Sequence, residues 1–157
     1  HGTRVASFIP QRSEAIDEHT AYLMVNLLQG VVDEGTGSRL RNREGYGKFT
    51  MPIAGKTGTT QNHSDGWFIG MTPKLSVGVW TGADLRSIHF ADISAGQGAN
   101  MALPIWGYFM KKVLADPTLG YSENAAFERP NGFNVDLECA GEDPAPRGEI
   151  LEFEDFL

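Results

Sequence analysis

One cysteine, Cys139, stands among 157 residues, so no internal disulfide can staple the fold and the redox compartment is left open. Four histidines, His1, His19, His63 and His89, are scattered without the spacing of metal ligands, which argues against a zinc centre. Basic residues are outnumbered 13 to 20, giving a net charge of −7. Without clustered Lys and Arg there is no general attraction to nucleic acid or to an anionic lipid surface. No run approaches the roughly 20 apolar residues needed to cross a bilayer, since the longest, Ala21 to Val32, is broken by Asn26 and Gln29. No basic segment followed by an apolar core opens the chain, so either the protein is cytoplasmic or a targeting segment lies outside these residues.

What is present describes a globular body with an acidic tail. The chain is 41% hydrophobic, with nine Phe, four Tyr and three Trp, which is enough to build a core. Nineteen Gly and eight Pro make it rich in loops without forming a repeat. Residues 121–157 hold ten acids and two Arg, so nearly all the negative charge lies there and residues 1–120 are close to neutral.

From Asp17 to Asp33, the apolar residues Ala21, Met24, Val25, Leu28, Val31 and Val32 recur at three- and four-residue spacing, which predicts a helix with one buried face. Asp17 suits its N-cap, and Gly35 or Gly37 suits a left-handed stop. Residues 35–50 read as a Gly-rich basic loop. Met51 to Thr60, Gly66 to Thr72 and Ser76 to Ala83 read as strands. The separators are too short for crossover helices, so an antiparallel meander is expected. After a Gly-rich loop at Ser94 to Gly98, a helix is expected from Ala102 to Leu114, with Pro104 in its first turn, Lys111 and Lys112 near its negative end, and Asp116-Pro117 ending it. Three strands with two helices are an α+β pattern with a thin core, which suggests that part of the fold is missing. Such a chain should be marginally stable, or should bury exposed strand edge against another chain. The tail from Gly120 on, with Pro130, Pro144, Pro146, Phe127, Phe133, Phe153 and Phe156, has no sustained period and should rest on the body as an extended appendage.

The stretch Gly55-Lys56-Thr57-Gly58-Thr59-Thr60 sets a cation, three hydroxyls and two glycines inside a predicted strand. Glycine within a strand often marks the close approach of another backbone or a ligand. A lysine there can bind a carboxylate or poise a proton transfer, and an unpaired backbone amide can point at a developing oxyanion. A nucleotide-binding P-loop also ends in Gly-Lys-Thr, but it needs a glycine where Thr50 stands and a helix directly afterwards. A surface hairpin with solvated Lys and Thr is the plain alternative.

The surrounding residues weigh against that alternative. Gly55 to Thr60, Asp65-Gly66-Trp67-Phe68-Ile69-Gly70-Met71-Thr72-Pro73 and Val77-Gly78-Val79-Trp80-Thr81-Gly82 together closely resemble the penicillin-binding proteins. Thr20-Ala21-Tyr22-Leu23-Met24, Leu28-Gln29-Gly30-Val31-Val32, Gly35-Thr36-Gly37 and Leu103-Pro104-Ile105-Trp106 with Phe109-Met110 resemble the class A, bifunctional branch. The likeness runs from about residue 13 to 115 and leaves the tail uncovered.

The resemblance implies the C-terminal part of a serine D,D-transpeptidase domain in residues 1–119, with the fold shared by serine β-lactamases, followed by a tail in residues 120–157. In that family Lys-Thr-Gly is the third motif, after Ser-x-x-Lys and Ser-x-Asn. Lys56 would supply positive potential. The Thr57 and Thr59 hydroxyls would hold the carboxylate of a D-Ala-D-Ala stem peptide or a β-lactam, with Thr60 beside them. The Thr59 N–H would be an oxyanion donor, and Gly58 would leave the strand bare for substrate pairing. No metal or nucleotide cofactor is implied. The parent protein would also carry a glycosyltransferase domain and work at the outer face of the cytoplasmic membrane, on an anchor outside this chain. A D,D-carboxypeptidase or β-lactamase relative, or a non-catalytic peptide- or protein-binding module, are the alternatives.

This sequence departs from the family pattern at the nucleophile. No Ser is followed three residues later by Lys; Ser38-Arg39-Leu40-Arg41 is the nearest. Ser122-Glu123-Asn124 fits Ser-x-Asn but follows the Lys-Thr-Gly, so it reads as coincidence. Gly66 stands where the family more often has Ala. The chain alone is therefore expected not to acylate. His63 is expected to be a solvated turn residue, and Trp67, Trp80 and Trp106 core or interface anchors. The run Arg39, Arg41, Arg43 and Lys48, relieved by Glu44, is expected to be a solvated loop rather than a face for anionic cell-wall polymer.

Overall fold

A computed structural model describes residue 9 and residues 13–137. Helix α1 (Glu18–Asp33) starts where Asp17 caps it: the carboxylate accepts from the Thr20 N–H at 3.0 Å and the Thr20 hydroxyl at 2.6 Å. Neither Gly35 nor Gly37 is left-handed, contrary to expectation. Glycine is needed at Gly35 because a Cβ would lie 2.9 Å from the Val31 carbonyl oxygen, where the chain folds back to bond Gly35 N to Gly30 O.

The expected loop 35–50 contains a short helix, α2 (Arg39–Asn42), which carries the fully buried Leu40. The basic run is only in part a solvated loop, with Arg43 and Lys48 exposed as expected but Arg39 and Arg41 held. Arg41 forms an ion pair with Asp33 at 2.7 Å and donates to the Phe49 and Met51 carbonyls at 2.9 and 2.7 Å. Arg39 bonds Asn100, and Lys48 pairs with Glu44. These contacts fasten the approach to the sheet, because Met51 and Ile53, which arrive next, are core residues.

Strands β1 (Ala54–Thr59), β2 (Gly66–Thr72) and β3 (Leu75–Thr81) form an antiparallel sheet in the order β1-β2-β3. The register pairs Thr59 with Gly66 and Gly66 with Thr81. The first strand starts three residues later than expected, and the third ends two residues sooner. In β2, Gly66, Phe68 and Gly70 are buried while Trp67 and Ile69 face outward, the two-residue alternation of a sheet covered on one side.

The cover is α4 (Gly98–Ala115), preceded by the single turn α3 (Ile93–Gly96). It begins four residues before the expected start, so Pro104 sits inside the helix rather than in its first turn. The early start is possible because Gly98 seats the helix end against the sheet, where a Cβ would collide with the carbonyl oxygens of Gly58 and Trp67. Further along, Trp106 is fully buried between Phe68 and Phe49, at ring distances of 5.5 and 6.1 Å, and lies flat over Gly70. Val32, Leu40, Ile53, Leu103, Met110 and Val113 complete the core.

Trp67 and Trp80 lie on the other face, 43% and 47% exposed with ring centres 6.4 Å apart, so only Trp106 is a core anchor. Beyond a short 3-10 turn (Pro117–Leu119), the described tail crosses α1, and Phe133 is buried edge-on against Tyr22 at 5.0 Å with Arg129 over its ring at 5.1 Å. Phe153 and Phe156 lie outside the described residues.

Candidate functional site

Strand β1 carries the Lys-Thr-Gly-Thr segment along an edge that no other strand of this sheet pairs with. Which main-chain groups point off that edge follows from the ladder. The Thr60 N–H donates to the Asp65 carbonyl at 3.0 Å, and hydrogen-bonded pairs alternate along an antiparallel ladder. Gly58 and Lys56 therefore direct their main-chain groups to Trp67 and Ile69 on β2. Thr57 and Thr59 direct their N–H and C=O groups outward. Two donors and two acceptors, with Gly58 between the residues that carry them, thus point off the edge without a partner strand in this sheet.

The side chains divide differently. Lys56 is exposed, on the face that holds Trp67, Ile69 and Trp80, and its Nζ donates to the Thr57 carbonyl at 2.8 Å, at the open edge. The Thr57 hydroxyl bonds that of Thr36, at 2.8 Å, on the turn after α1. The Thr59 hydroxyl accepts from the Gly98 N–H at 3.1 Å, the first amide of α4. Both hydroxyls keep hydrogen-bonding capacity, but each is already held by a neighbouring element. Gly58 is bare, with the Trp67 Cβ 3.2 Å from where its own Cβ would stand.

Thr60 is not at the edge with the others. Its hydroxyl turns into the β1–β2 connection, where it accepts from the Asp65 N–H at 2.9 Å and lies 3.0 Å from the Ser64 hydroxyl and 3.2 Å from the Asp65 carboxylate. His63 is not a solvated turn residue. It has a left-handed φ of 54°, its Cβ packs against Gly96, and its Nδ1 is enclosed without a bond to any protein group. Ser122 and Asn124 lie at the other end of the sheet, with Ser122 beside the Thr72-Pro73-Lys74 turn and its hydroxyl accepting from Asn124 N–H at 3.1 Å. They do not approach Lys56.

Sequence reading missed Thr36, Gly98 and Asp65 as neighbours of the motif. Thr36 and Asp65 stood within the matched segments, but nothing in their spacing shows which hydroxyl a side chain meets. Among the described residues, no group of three or more His, Cys, Asp or Glu gathers as a metal site, and no helix is long and apolar enough to cross a membrane.

The described residues thus form an α+β body that presents a Lys-Thr-Gly-Thr strand at a sheet edge. The family model for the penicillin-binding protein transpeptidase domain matches residues 5–86, and the chain belongs to that family. It is similar to penicillin-binding protein 1A of Aquifex aeolicus, with 35% identity over 105 residues, covering 67% of this chain and 13% of that protein. The protein of the same name from Clostridium acetobutylicum is 39% identical over 108 residues, 68% of this chain and 12% of that protein. That of Pseudomonas aeruginosa is 37% identical over 114 residues, 70% and 12%. The chain thus spans about an eighth of the length of these curated relatives.

Proposed function

We propose that this chain forms one wall of the acyl-transfer site of a peptidoglycan cross-linking D,D-transpeptidase whose nucleophilic serine lies on a segment outside these 157 residues. The observation that carries the reading is the open edge of β1, where the Thr57 and Thr59 main-chain groups project beside the Lys56 ammonium. A stem peptide ending in D-Ala-D-Ala pairs along this edge as an added strand, and its terminal carboxylate draws Lys56 away from the Thr57 carbonyl. The Thr57 and Thr59 hydroxyls, already oriented by Thr36 and Gly98, add hydrogen bonds to that carboxylate. The external serine attacks the carbonyl carbon of the penultimate D-Ala. The Thr59 N–H donates to the oxyanion, and a developing charge met by a preorganised donor is where most of the rate gain arises. Collapse expels the terminal D-Ala, whose amine takes up the proton that the serine hydroxyl gives up, and leaves the acyl-serine. The amine of a neighbouring stem peptide then attacks that ester, forming the new amide and returning its proton to the serine. A β-lactam would enter the same way and remain as the stable acyl adduct.

The complete protein, on this reading, is a bifunctional glycosyltransferase and transpeptidase held at the outer face of the cytoplasmic membrane. Intact-mass measurement tests the assignment. The chain alone, incubated with benzylpenicillin, should gain no mass, and the chain joined to its nucleophile-bearing segment should gain one adduct. A stoichiometric adduct on the isolated chain would show that the nucleophile lies within it. The lack of any Ser-x-x-Lys here favours one other reading, a peptide-binding module without chemistry, for which the joined protein would also stay unmodified.

A further inference from the structure

The main chain that aims Thr59 outward is itself held from one residue further on. We infer that Thr60 and Asp65 are positioning residues that fix the direction of the Thr59 N–H off the edge of β1; the inference rests on the transpeptidase reading above. In a plain antiparallel pair, Asp65 would return its N–H to the Thr60 carbonyl. Here it donates instead to the Thr60 hydroxyl at 2.9 Å, while the Thr60 N–H donates to the Asp65 carbonyl at 3.0 Å. The Asp65 carboxylate accepts from the Ser64 hydroxyl at 3.0 Å and lies 3.2 Å from the Thr60 hydroxyl, which has one proton to give. A ring of bonds thus closes the ladder one residue after the oxyanion donor.

Two features make this ring more than an ordinary connection. The Asp65 side chain is only 11% exposed, and its nearest cation is the Arg86 Nε at 3.9 Å, on a side chain 82% exposed. An enclosed carboxylate depends on its hydrogen bonds, so the Ser64 and Thr60 hydroxyls are what hold it in place. The carboxylate is also hemmed in by Gly82, the residue after β3, where a Cβ would collide with it. The connection contains two consecutive non-glycine residues with left-handed backbone, Asn62 at 62° and His63 at 54°. Such strain persists only where the surroundings over-determine it. An enclosed carboxylate, two strained residues and a diverted ladder bond therefore converge on the single residue that follows Thr59.

A preorganised donor matters more to the transition state than to the bound substrate. The test is the acylation of the complete transpeptidase, with its nucleophile-bearing segment, by benzylpenicillin, read as a saturating rate constant and a half-saturating concentration. Thr60→Val, which keeps the shape and removes the hydroxyl, should lower the saturating rate about ten-fold, part of the 10²–10³ seen when an oxyanion donor is lost outright. The half-saturating concentration should stay within about two-fold. Thr60→Ser should restore the rate. Should Thr60→Val fail to fold, Asp65→Asn gives a smaller drop with the same split, because a neutral amide accepts hydrogen bonds about half as strongly as a carboxylate.

An unchanged rate overturns the inference. So does a raised half-saturating concentration at constant rate, which would make Thr60 a substrate ligand instead. A wild-type complete protein that never acylates fails in a different place, bringing down the transpeptidase reading and the inference with it.

Discussion

Replacing Gly98 with alanine tests the closest contact between helix and sheet. A Cβ there meets the carbonyl oxygens of Gly58 and Trp67 and lies 3.1 Å from the Trp67 nitrogen, all of them main-chain atoms that cannot rotate away. The start of α4 must lift from the sheet, breaking the bond from Gly98 N–H to the Thr59 hydroxyl. Losing a hydrogen bond of this kind costs about 1 kcal/mol, and forcing a methyl group into a packed contact costs roughly 1–3 kcal/mol. Together they come to about 2–4 kcal/mol, or a fall in Tm of roughly 5–15 °C for a chain of this size. Gly30→Ala is the control, because nothing lies within 4 Å of its Cβ position inside α1. That change should raise stability by about 0.5–1 kcal/mol. Thermal unfolding followed by circular dichroism reads both. A Gly98→Ala Tm within about 2 °C of wild type would refute the close seating of α4 and the account of why the helix starts early.

Trp106→Ala should cost about 3–5 kcal/mol in chemical denaturation, since the ring is fully buried against Phe49, Phe68 and Gly70; a loss below 1 kcal/mol would deny it that central place. Asp17, Asp92 and Asp116 each have a pKa held below the ordinary 3.8 by hydrogen bonds, first from the hydroxyls of Thr20, Ser94 and Thr118. A lowered native pKa means that their contribution is present above 3.8 and is lost as the pH falls below it. Asp17→Asn, which still caps α1, should therefore flatten the acid limb of a Tm-against-pH curve. Lys56→Met should leave Tm within about 2 °C, because the side chain is exposed. The same change should weaken binding of an acyl-D-Ala-D-Ala peptide, followed by shifts of the Thr57 and Thr59 amide resonances, and equal shifts in both proteins would remove Lys56 from the site.

Elements built on periodicity were legible in the sequence. Helix α1 stands where the three-to-four spacing puts it, strand β2 stands where its β-prone composition and turn-like flanks put it, and Asp17 caps the helix as its side chain suggests. What was missed depended on distant partners. Arg41 looks like a solvated loop residue until Asp33, Phe49 and Met51 come within reach. Gly98 looks like a helix breaker until the sheet beneath it requires a residue without a side chain. The candidate site divides the same way. That Lys-Thr-Gly-Thr lies in a strand was legible from its composition and neighbours, and that this strand is bare for pairing was what the family resemblance implied. The Thr60 hydroxyl turns inward beside a left-handed Asn62 and His63, residue types that adopt such backbone more readily than most, but their place in the sequence does not say which hydroxyl they turn.

A strand edge without a partner strand is open to any extended backbone, that of a second copy as well as that of the proposed substrate. Self-association and substrate capture then compete for the same donors and acceptors, and concentrated protein should lose peptide-binding capacity through mass action. Lys56 bears on that competition. Folded onto the Thr57 carbonyl at 2.8 Å, its ammonium occupies one acceptor of the empty edge and sets a charge where an identical strand would bring its own. On the transpeptidase reading, a neutral or cationic strand would meet this lysine as a guard and one that ends in a carboxylate would meet it as a partner, so a single side chain would separate aggregation from recognition.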